Sequence, residues 1–450
     1  MARAKKEAAL TPEERLQAAL VPDWERPYKL PENWCWTTVG AINQYVGISA
    51  DPTKAKNETF ELYSVPSSAD NYPEIVLGAD IGSAKQSVKK GDVLLCKINP
   101  RINRVWKVSK YTDHSLLASS EWIVIRNSRL ISNYLMWCLR SPYFRGYMLS
   151  NVSGVGGSLM RAQPKFVQGY PIPVPPLAEQ QRIVDRIESL FAKLDEAKEK
   201  AQAVVDSFET RKAAILHKAF TGELTAKWRE EHGVGMESWE HHQFSDLCAI
   251  VRGGSPRPAG DPRYYDGNIP FMKVADITRN DSPYVSKVEY SIKEEGLKKT
   301  RMVEANTLLL TNSGATLGVP AITTIRTTFN DGIAAFIGLD IDSLLFYYYF
   351  WTSKTAFLRS INMGAAQPNL NTKLIGEVEI DVPQTAERVE IARVLNALLS
   401  KEQQTKEAAE AVLDQIDLMK KSILARAFRG ELGTNDPSEE SAVKLLKQII

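Results

Sequence analysis

The chain has 450 residues, of which 44% are hydrophobic and 24% are charged, and its formal net charge is +2. This composition excludes a disordered or collagen-like chain, and the length favours two domains or more. Because the chain as a whole is nearly neutral, any affinity for nucleic acid must come from where its charges are placed.

The cysteines and the N-terminus restrict the compartment and the chemistry. Cys35, Cys96, Cys138 and Cys248 stand far apart and form no CxxC pair, so neither a zinc ribbon nor a disulfide framework is predicted. The basic N-terminal segment lacks the apolar stretch of a signal peptide. The longest apolar run, residues 344–351, is too short for a membrane span. We therefore expect a cytoplasmic protein with no membrane partner.

An internal duplication organises the chain. Residues 174–224 align with residues 382–432 at a constant offset of 208, without gaps, and 21 of the 51 positions are identical. In the first copy, apolar residues recur at alternating steps of four and three from Ile183 to Ile215, with Arg211 as the one exception. Such a 3.5-residue period is typical of a helix that packs along another helix.

The second copy keeps this phase through Ile391, Leu395, Leu398, Ala409, Val412, Ile416, Met419 and Ile423. Its departures from the apolar stripe are Glu402 and Thr405. We predict long helices over about 178–220 and 386–428, each about 60 Å long. Since the chain alternates globule, helix, globule, helix, the simplest arrangement pairs the two helices antiparallel. The alternative is that each helix packs on its own globule.

The remaining sequence forms two related globules. Residues 91–100 resemble residues 305–314, and both stretches predict a buried strand that runs into a polar loop. The predicted fold is therefore α+β: two related globular domains joined by two long antiparallel coiled-coil helices, in a pseudo-twofold, circular internal repeat. The predicted segments are an N-terminal helical extension (1–19), the first globule (20–175), the first helical region (176–234), the second globule (235–382), the second helical region (383–433) and a C-terminal tail (434–450) that ends in a short amphipathic helix.

Motifs for chemistry are missing from the sequence. It contains no GxxxxGK[ST] phosphate loop, no GxGxxG after a strand, and no GxSxG or HExxH stretch. It also lacks the Asn/Asp-Pro-Pro-Tyr stretch with which an amino-methyltransferase holds an extruded adenine. The His241-His242 doublet is more typical of a solvated turn than of a metal site. We therefore predict no catalytic residue and no bound metal.

Basic and amide side chains point instead to nucleic acid. In the first globule, residues 122–178 contain no Asp or Glu, and a cluster of cations precedes them. Cations contact phosphate, and Arg, Asn and Gln can pair with base edges. The alternative is a solvated face, which would usually mix charge signs. The candidate DNA-binding residues here are Lys97, Asn99, Arg101, Arg104, Lys107, Ser158, Arg161, Gln163 and Lys165.

The second globule carries a similar but less charged set. A glycine-containing loop, residues 252–257, allows the backbone to approach a ligand closely, and serine and arginine can reach phosphate. The alternative is that each of these is a turn residue bonded to its own backbone. The candidates are Arg252, Ser255, Arg257, Arg263, Tyr264, Lys273, Asn312, Ser313, Gln367, Asn369 and Lys373.

The chain resembles the specificity subunits of Type I restriction–modification enzymes. The resemblance rests on Leu-Pro-Glu-Asn-Trp at 30–34, Pro-Leu-Ala-Glu-Gln-Gln-Arg-Ile-Val at 176–184, and Ala-Phe-Thr-Gly-Glu-Leu at 219–224 with its second copy at 427–432. It covers about residues 20–433. The second helix start departs from the pattern, reading Thr-Ala-Glu-Arg at 385–388.

The resemblance implies a non-catalytic DNA reader. Each globule would be a target recognition domain for one half of a bipartite, asymmetric double-stranded DNA site. The helices would set the spacing and dock two methylation subunits, and two restriction subunits would complete the complex. The chain itself would bind no cofactor, while its partners would use S-adenosylmethionine, ATP and Mg²⁺. The competing interpretations are a non-specific DNA-binding scaffold and a self-contained nuclease.

Overall fold

The computed structural model of the protein describes residues 10–153, 160–360 and 370–450. The chain divides into two compact units, one formed by Met1–Ala201 with Ala411–Ile450 and the other by Gln202–Glu410. Each unit therefore contains one globule and part of each helical repeat. Within the described residues, no helix combines the length and the apolar character needed to cross a membrane.

The globule of the first unit is built on two sheets. The larger sheet is mixed and has the strand order Ser49–Ala50, Lys85–Ser87, Ser115–Ala118, Thr59–Tyr63, Glu74–Leu77. The smaller sheet is antiparallel, in the order Val105–Lys107, Val93–Cys96, Trp122–Ile125. Two antiparallel strand pairs complete the unit: Cys35–Thr38 with Pro171–Val174, and Val152–Ser153 with Arg161–Ala162.

Helices cover the first unit and close its core. They are Pro12–Ala19, Val39–Ile42, Ser132–Arg140, Pro142–Ser150, Pro164–Val167 and Ala442–Ile449, in addition to parts of the long helices. The main core packs Tyr134 and Phe144 together with Ile183 and Phe428 from the two helical repeats. The rings of Tyr134 and Phe428 meet edge to face, with their centroids 5.4 Å apart. Burial of such rings removes a large apolar area from water and stabilises the unit.

The second unit repeats this plan with different strand lengths. Its five-stranded sheet has the order Ala249–Arg252, Ile333–Ile337, Thr307–Thr311, Pro320–Thr323, Tyr284–Val285. Its four-stranded sheet has the order Tyr290–Ile292, Tyr265–Met272, Thr327–Phe329, Arg301–Val303. The pair Glu240–Gln243 and Glu379–Val382 corresponds to the strand pair that closes the first globule.

The helices of the second unit enclose an aromatic core. They are Phe208–Phe220, Ala226–His232, Phe244–Leu247, Val274–Thr278, Glu294–Leu297, Leu344–Ser360 and Thr372–Gly376. The ring of Trp351 lies 4.8 Å from that of Phe244 and 5.3 Å from that of Phe336. Ile391 and Leu395 of the second helical repeat join the same core. The apolar run at 344–351 is thus a buried helix, which explains its composition.

The two predicted long helices are confirmed. The first repeat forms Leu177–Asp206 and, after an interruption at Ser207, Phe208–Phe220, while the second forms Thr385–Ala427 without a break. Within each unit the helical segments run antiparallel, because residues later in the first segment contact residues earlier in the second: Asp195 pairs with Lys420, and the Phe208 ring lies under Lys406. Lys198 pairs with Asp417 in the first unit. Arg211 pairs with Glu402 in the second.

The predicted apolar stripe is only partly buried. Ala201, Ala409 and Ile416 are buried, whereas Val412 and Met419 are 41% and 49% exposed, so the stripe is buried along its centre and not at these two positions. Two helices that pack with no third layer cover only a narrow strip of each other. Residues at the margin of the stripe therefore stay in solvent.

Each helical repeat begins at a buried carboxylate. Glu387 is 1% exposed and accepts hydrogen bonds from Arg229 (2.5 Å), the hydroxyl of Thr225 (2.6 Å) and the indole N–H of Trp239 (3.1 Å). Arg229 and Thr225 follow the Gly-Glu-Leu sequence at the end of the first repeat. In the second unit, therefore, the start of one repeat is bonded to the segment after the other.

The first unit contains the counterpart of this arrangement. Glu179 is fully buried and accepts from the hydroxyl of Thr434 (2.7 Å) and from Nε of Arg182 (3.1 Å). Arg182 also bonds Glu439 through both terminal nitrogens, at 2.8 Å each. Burial raises the pKa of Glu179, and the hydrogen bond from Thr434 and the charge of Arg182 oppose that shift. The tail after the second repeat is thus part of the first unit.

The tail ends in the predicted amphipathic helix, Ala442–Ile449. Leu446 is fully buried in the core of the first unit. The backbone N–H of Ala442 donates to Asn33 O (2.9 Å), and the indole N–H of Trp34 donates to Asn435 (2.9 Å). These bonds join the C-terminal tail to the start of the first globule, as a circular repeat requires.

Candidate nucleic-acid interface

The basic loop of the first globule follows a buried strand and is held by the segment around Arg161. The carbonyl of Lys97 accepts from the N–H of Ala162 (2.8 Å), and the N–H of Asn99 donates to the carbonyl of Met160 (2.8 Å). The structure therefore brings the candidates Lys97 and Asn99 next to a third, Arg161, which lies more than sixty residues later in the sequence.

Two asparagines shape the turn of this loop. Asn99 and Asn103 have positive φ angles of 52° and 55°, and they flank the short 3₁₀ turn Pro100–Ile102. Asparagine tolerates this left-handed conformation better than most residues. The Asn103 amide donates to Arg140 O (2.9 Å), and Nε of Arg101 donates to Oδ1 of Asn99 (3.0 Å). The turn is thus fixed, with the side chain of Arg101 exposed on it.

The other cations near this turn differ in their freedom. Lys165 is exposed and lies 4.8 Å over the ring of Phe166. Arg104 is half-buried beside the thiol of Cys96. Arg161 pairs with Glu121 at 3.4 Å. Glu121 lies just before the acid-free stretch in the sequence. In the folded protein, its carboxylate therefore lies on the surface that the sequence predicted to be purely basic. Gln163 is half-buried and precedes the short helix Pro164–Val167.

Lys107 lies apart from this cluster. Its ammonium donates to Asn133 (2.6 Å), whose amide in turn donates to Glu188 on the first long helix (3.1 Å). Two further arginines of the basic stretch also have internal partners. Arg126 forms two bonds with Asp92, at 2.7 and 2.6 Å, and Arg140 donates twice to the carbonyl of Val105, at 3.1 and 2.6 Å. Burial lowers the pKa of Arg140.

In the second globule, three candidates converge on Asp331. Nε of Arg252 donates to Asp331 O (2.7 Å), the hydroxyl of Ser255 donates to Oδ1 (2.7 Å), and Arg257 pairs with Oδ2 (3.3 Å). Burial would raise the pKa of Asp331, but the Ser255 hydrogen bond and the charge of Arg257 outweigh it, so the pKa lies below its ordinary value. Asp331 is therefore an ionised acceptor at neutral pH.

A second loop meets the same turn. The N–H of Asn312 donates to the carbonyl of Gly332 (2.9 Å), and Ser313 lies half-buried beside it. Asn312 is fully buried, and among the described residues neither atom of its side-chain amide has a hydrogen-bond partner. Its amide is thus enclosed rather than presented at the surface. Lys273 stands on the other side of the turn, with its ammonium 3.1 Å from the centre of the Tyr290 ring.

The remaining candidates lie outside this group or outside the described residues. Arg263 forms a bidentate pair with Asp261 and lies 5.3 Å from the Tyr264 ring. Lys373 pairs with Glu377 one turn along its own short helix, at 3.6 Å. Three candidates fall outside the described residues: Ser158, Gln367 and Asn369.

Some residues of this surface were not predicted from the sequence. Asn330 and Asp331 lie at the centre of the second cluster, and Tyr290 supports Lys273, yet none of the three was a candidate. The Asn-Asp-Gly sequence at 330–332 signals a turn. It does not reveal that the turn lies against the loop at 252–257, because that contact joins distant parts of the chain.

Both units build this surface by the same construction. In the first, the carbonyl of Lys97 accepts from the N–H of Ala162 (2.8 Å); in the second, the carbonyl of Asn312 accepts from Leu370 (2.7 Å). Ala162 and Leu370 are separated by 208 residues, the offset of the helical repeat. The backbone is therefore shared, while the exposed side chains differ between the two units.

The family model described as the Type I restriction modification DNA specificity domain matches residues 47–205 and 236–413. The two matches together cover more than half of the chain, and the chain therefore belongs to this family. Each match spans most of one globule and much of the helical repeat that follows. The duplication seen in the sequence is thus a duplication of the specificity domain.

Several relatives that are named as specificity subunits match the chain, two of them over most of its length. The chain is 22% identical over 457 residues to the Type I restriction enzyme EcoKI specificity subunit of Escherichia coli (strain K12), covering 94% of this chain and 96% of that one. It is 23% identical over 427 residues to the StySPI specificity subunit of Salmonella potsdam, covering 90% of each. A shorter match, 30% identical over 164 residues, joins it to the MjaIX specificity subunit of Methanocaldococcus jannaschii, with 36% of this chain and 38% of that one covered.

Solved structures share the fold. The HsdS subunit from Thermoanaerobacter tengcongensis superposes with a TM-score of 0.65 at 21% identity, covering 91% of this chain and all of that one. A chain from a study of complex assembly and conformational transition of the type I R-M system superposes with a TM-score of 0.71 at 22% identity, covering 90% of this chain and all of that one. These likenesses confirm the predicted α+β fold with repeated globules and long helices.

Proposed function

We propose that this chain is the DNA-reading subunit of a Type I restriction–modification complex, in which each globule reads one half of a bipartite, asymmetric site. The observation that carries the proposal is the shared strand-end construction. The strand end that is followed by Lys97, Asn99 and Arg101 in the first unit is followed by Asn312 and Ser313 in the second. In each unit the first of these residues accepts a backbone hydrogen bond from the same repeat position, Ala162 or Leu370. A common scaffold with different polar side chains suits two readers of two different sequences.

The chemistry of each surface supports contact with duplex DNA. Arg101 and Lys165 are exposed cations suited to phosphate, and the fixed turn that carries Arg101 limits the entropy lost on binding. Among the described residues, no group of three or more histidine, cysteine or acidic side chains could hold a metal ion. The proposal assigns the chain recognition alone, and it assigns catalysis to other subunits.

The long helices support a role in spacing and assembly. A helix is stiff, whereas a flexible linker has a widely fluctuating end-to-end distance. The helical repeats would therefore set the number of unread base pairs between the half-sites. They would also dock two methylation subunits, with two restriction subunits completing the complex. S-adenosylmethionine, ATP and Mg²⁺ would be bound by those partners, and a cytoplasmic location remains a prediction.

Selection of DNA by the assembled complex tests the proposal. The chain, co-expressed with its methylation subunits, is presented with duplexes of random sequence. The bound fraction should share two short defined sequences separated by a gap of constant length. A chimaera that carries residues 20–175 of a relative should change one of the two sequences only. Binding without sequence preference would support a scaffold, and cleavage by the purified chain alone would support a nuclease.

A further inference from the structure

A cleft in the second unit is lined by polar side chains that retain free hydrogen-bonding capacity. It has a volume of about 310 Å³ and lies between the loop at 252–257, the strand that ends at Met272 and the turn at 330–332. Lys273 and Arg257 line its rim, and the rings of Tyr265, Phe271 and Tyr290 form its walls. DNA that enters this cleft would therefore contact cations at the rim and hydrogen-bond acceptors further inside.

The backbone of the turn is fixed from both sides. The N–H of Asn330 donates to Met272 O (3.0 Å), and its carbonyl accepts from Ile333 (3.1 Å). The neighbouring carbonyl of Phe329 accepts from Gly254 (3.1 Å), which joins the turn to the glycine-containing loop. The side chains of Asn330 and Asp331 are therefore held at one place in the cleft.

Both side chains offer hydrogen-bond acceptors. Oδ1 of Asn330 lies just below the surface of the cleft and has no hydrogen-bond partner among the described residues, so a base donor reaches it when the side chain turns outward. Each oxygen of the Asp331 carboxylate receives one bond, from Ser255 or Arg257, whereas a carboxylate oxygen can accept two. These acceptors would repel a phosphate group, and they would repel the O6 of guanine or the O4 of thymine. Only a donor on a base edge fits them, and in the major groove that donor is an exocyclic amino group.

We propose that Asn330 and Asp331 read the exocyclic amino group of an adenine or a cytosine in the half-site of the second globule, with Arg257 and Lys273 holding the adjacent backbone. This assignment rests on the proposed function of the chain. It names specificity-determining residues that the sequence pattern did not indicate.

Base analogues provide the test. In the half-site selected by the complex, each adenine is replaced in turn by purine, which lacks the 6-amino group, and each cytosine by its analogue without the 4-amino group. The wild-type complex should lose roughly tenfold or more in affinity at one position of one half-site. Asp331→Asn and Asn330→Ala should bind the unmodified site more weakly and should lose most of this discrimination at that position alone.

Asp342→Asn is the matched control, because Asp342 is an exposed aspartate of the same unit on a turn that does not line the cleft. It should keep the wild-type profile. A variant profile identical to the wild type, or a uniform loss at every position of both half-sites, would overturn the proposal while leaving two-part DNA reading intact. If the wild-type complex selects no bipartite sequence, the proposed function itself fails. Should Asp331→Asn not fold, Asn330→Ala decides the matter, since Oδ1 of Asn330 makes no hydrogen bond within the described part of the chain that the substitution would remove.

Discussion

Arg211 and Glu402, the charged residues that interrupt the apolar stripes of the two helical repeats, bind each other at 2.7 Å in the second unit. The repeat offset places Met419 and Leu194 at the corresponding positions of the first unit.

Arg211 also donates to Val204 O (3.2 Å), close to the interruption of the helix at Ser207. Gln415 occupies the position of Ser207 in the uninterrupted helix. Serine that bonds back to a preceding carbonyl favours such a break, and the Ser207 hydroxyl donates to Ala203 O.

The ion pair between Arg211 and Glu402 predicts strong energetic coupling between these two positions. Arg211→Met or Glu402→Leu alone should lower the free energy of unfolding of the second unit by about 1–3 kcal/mol, because each leaves a partly buried charge without its partner. The double variant should be close to wild type, since it recreates the Leu194–Met419 combination. Thermal unfolding of the four proteins measures the coupling. Lys198→Ala, at an exposed ion pair, is the control and should cost under about 0.5 kcal/mol. Additive single effects would contradict this expectation.

Glu61 predicts a pH dependence of the first unit. It is fully buried and accepts from Tyr63 Oη (2.7 Å), from the N–H of Tyr111 (3.0 Å) and from the N–H and hydroxyl of Thr112 (2.8 and 2.9 Å). Burial raises its pKa, but these hydrogen bonds together hold the pKa below its ordinary value of 4.5. A lowered pKa means stability that is present above pH 4.5 and is lost as the pH falls through the folded-state value.

Glu61→Gln should therefore lower the free energy of unfolding by about 2 kcal/mol at neutral pH. The difference in unfolding free energy between wild type and variant should shrink as the pH falls below 4.5, because the wild-type side chain then loses its charge by protonation. Thermal denaturation between pH 3 and pH 7 measures this difference. The exposed Glu13→Gln is a suitable control. A gap that stays constant over the whole range would refute the assignment.

The C-terminal tail should stabilise the first unit alone. Leu446→Ala should lower the free energy of unfolding by about 2–5 kcal/mol, because it removes a fully buried side chain from the core. The exposed Lys444→Ala should change little. Amide hydrogen exchange can follow each unit separately. Faster exchange in residues of Met1–Ala201 with unchanged exchange in Gln202–Glu410 is expected, and equal loss in both units would contradict it.

The basic surface of the first globule predicts a selective loss of affinity. Arg101→Ala and Lys165→Ala should each weaken DNA binding by the assembled complex about tenfold and reduce the dependence on salt by about one ion. Lys107→Ala should have a much smaller effect, because Lys107 is bonded to Asn133 outside the cluster. Binding measured at several salt concentrations separates these cases. Equal effects of all three substitutions would mean that the cluster has no special role.

The helices predict a spacing that can be changed. Inserting four residues after Ala201 and four after Glu410, where the two units meet in sequence, lengthens both helical repeats by about 6 Å. That is roughly two base pairs of duplex at about 3.4 Å each. The methylated sites of cells that express this variant should keep both half-sequences and widen the gap. An insertion of the same residues into the exposed turn at 281–282 is the control. Unchanged spacing in the double insertion would refute the role of the helices in setting the gap between the half-sites.

The sequence by itself determined the parts of this protein that depend on local periodicity and on repetition. The 3.5-residue stripe, the constant offset of 208 and the alternation of apolar strands with polar loops were enough to predict the long helices, the related globules and the terminal helix, because each reflects interactions between residues close in sequence or copied by duplication. The resemblance to a known family added the expected function.

Only the tertiary structure decided which candidate side chains meet. Arg252, Ser255 and Arg257 all bond to Asp331, and Lys107 bonds to Asn133. The two charged exceptions of the apolar stripes, Arg211 and Glu402, pair with each other. These contacts join residues far apart in the chain, and a charge shows its partner only when the fold brings that partner within hydrogen-bonding distance. For that reason the composition of a loop identified a polar surface, and the packing of several loops decided which of its groups remain available to DNA.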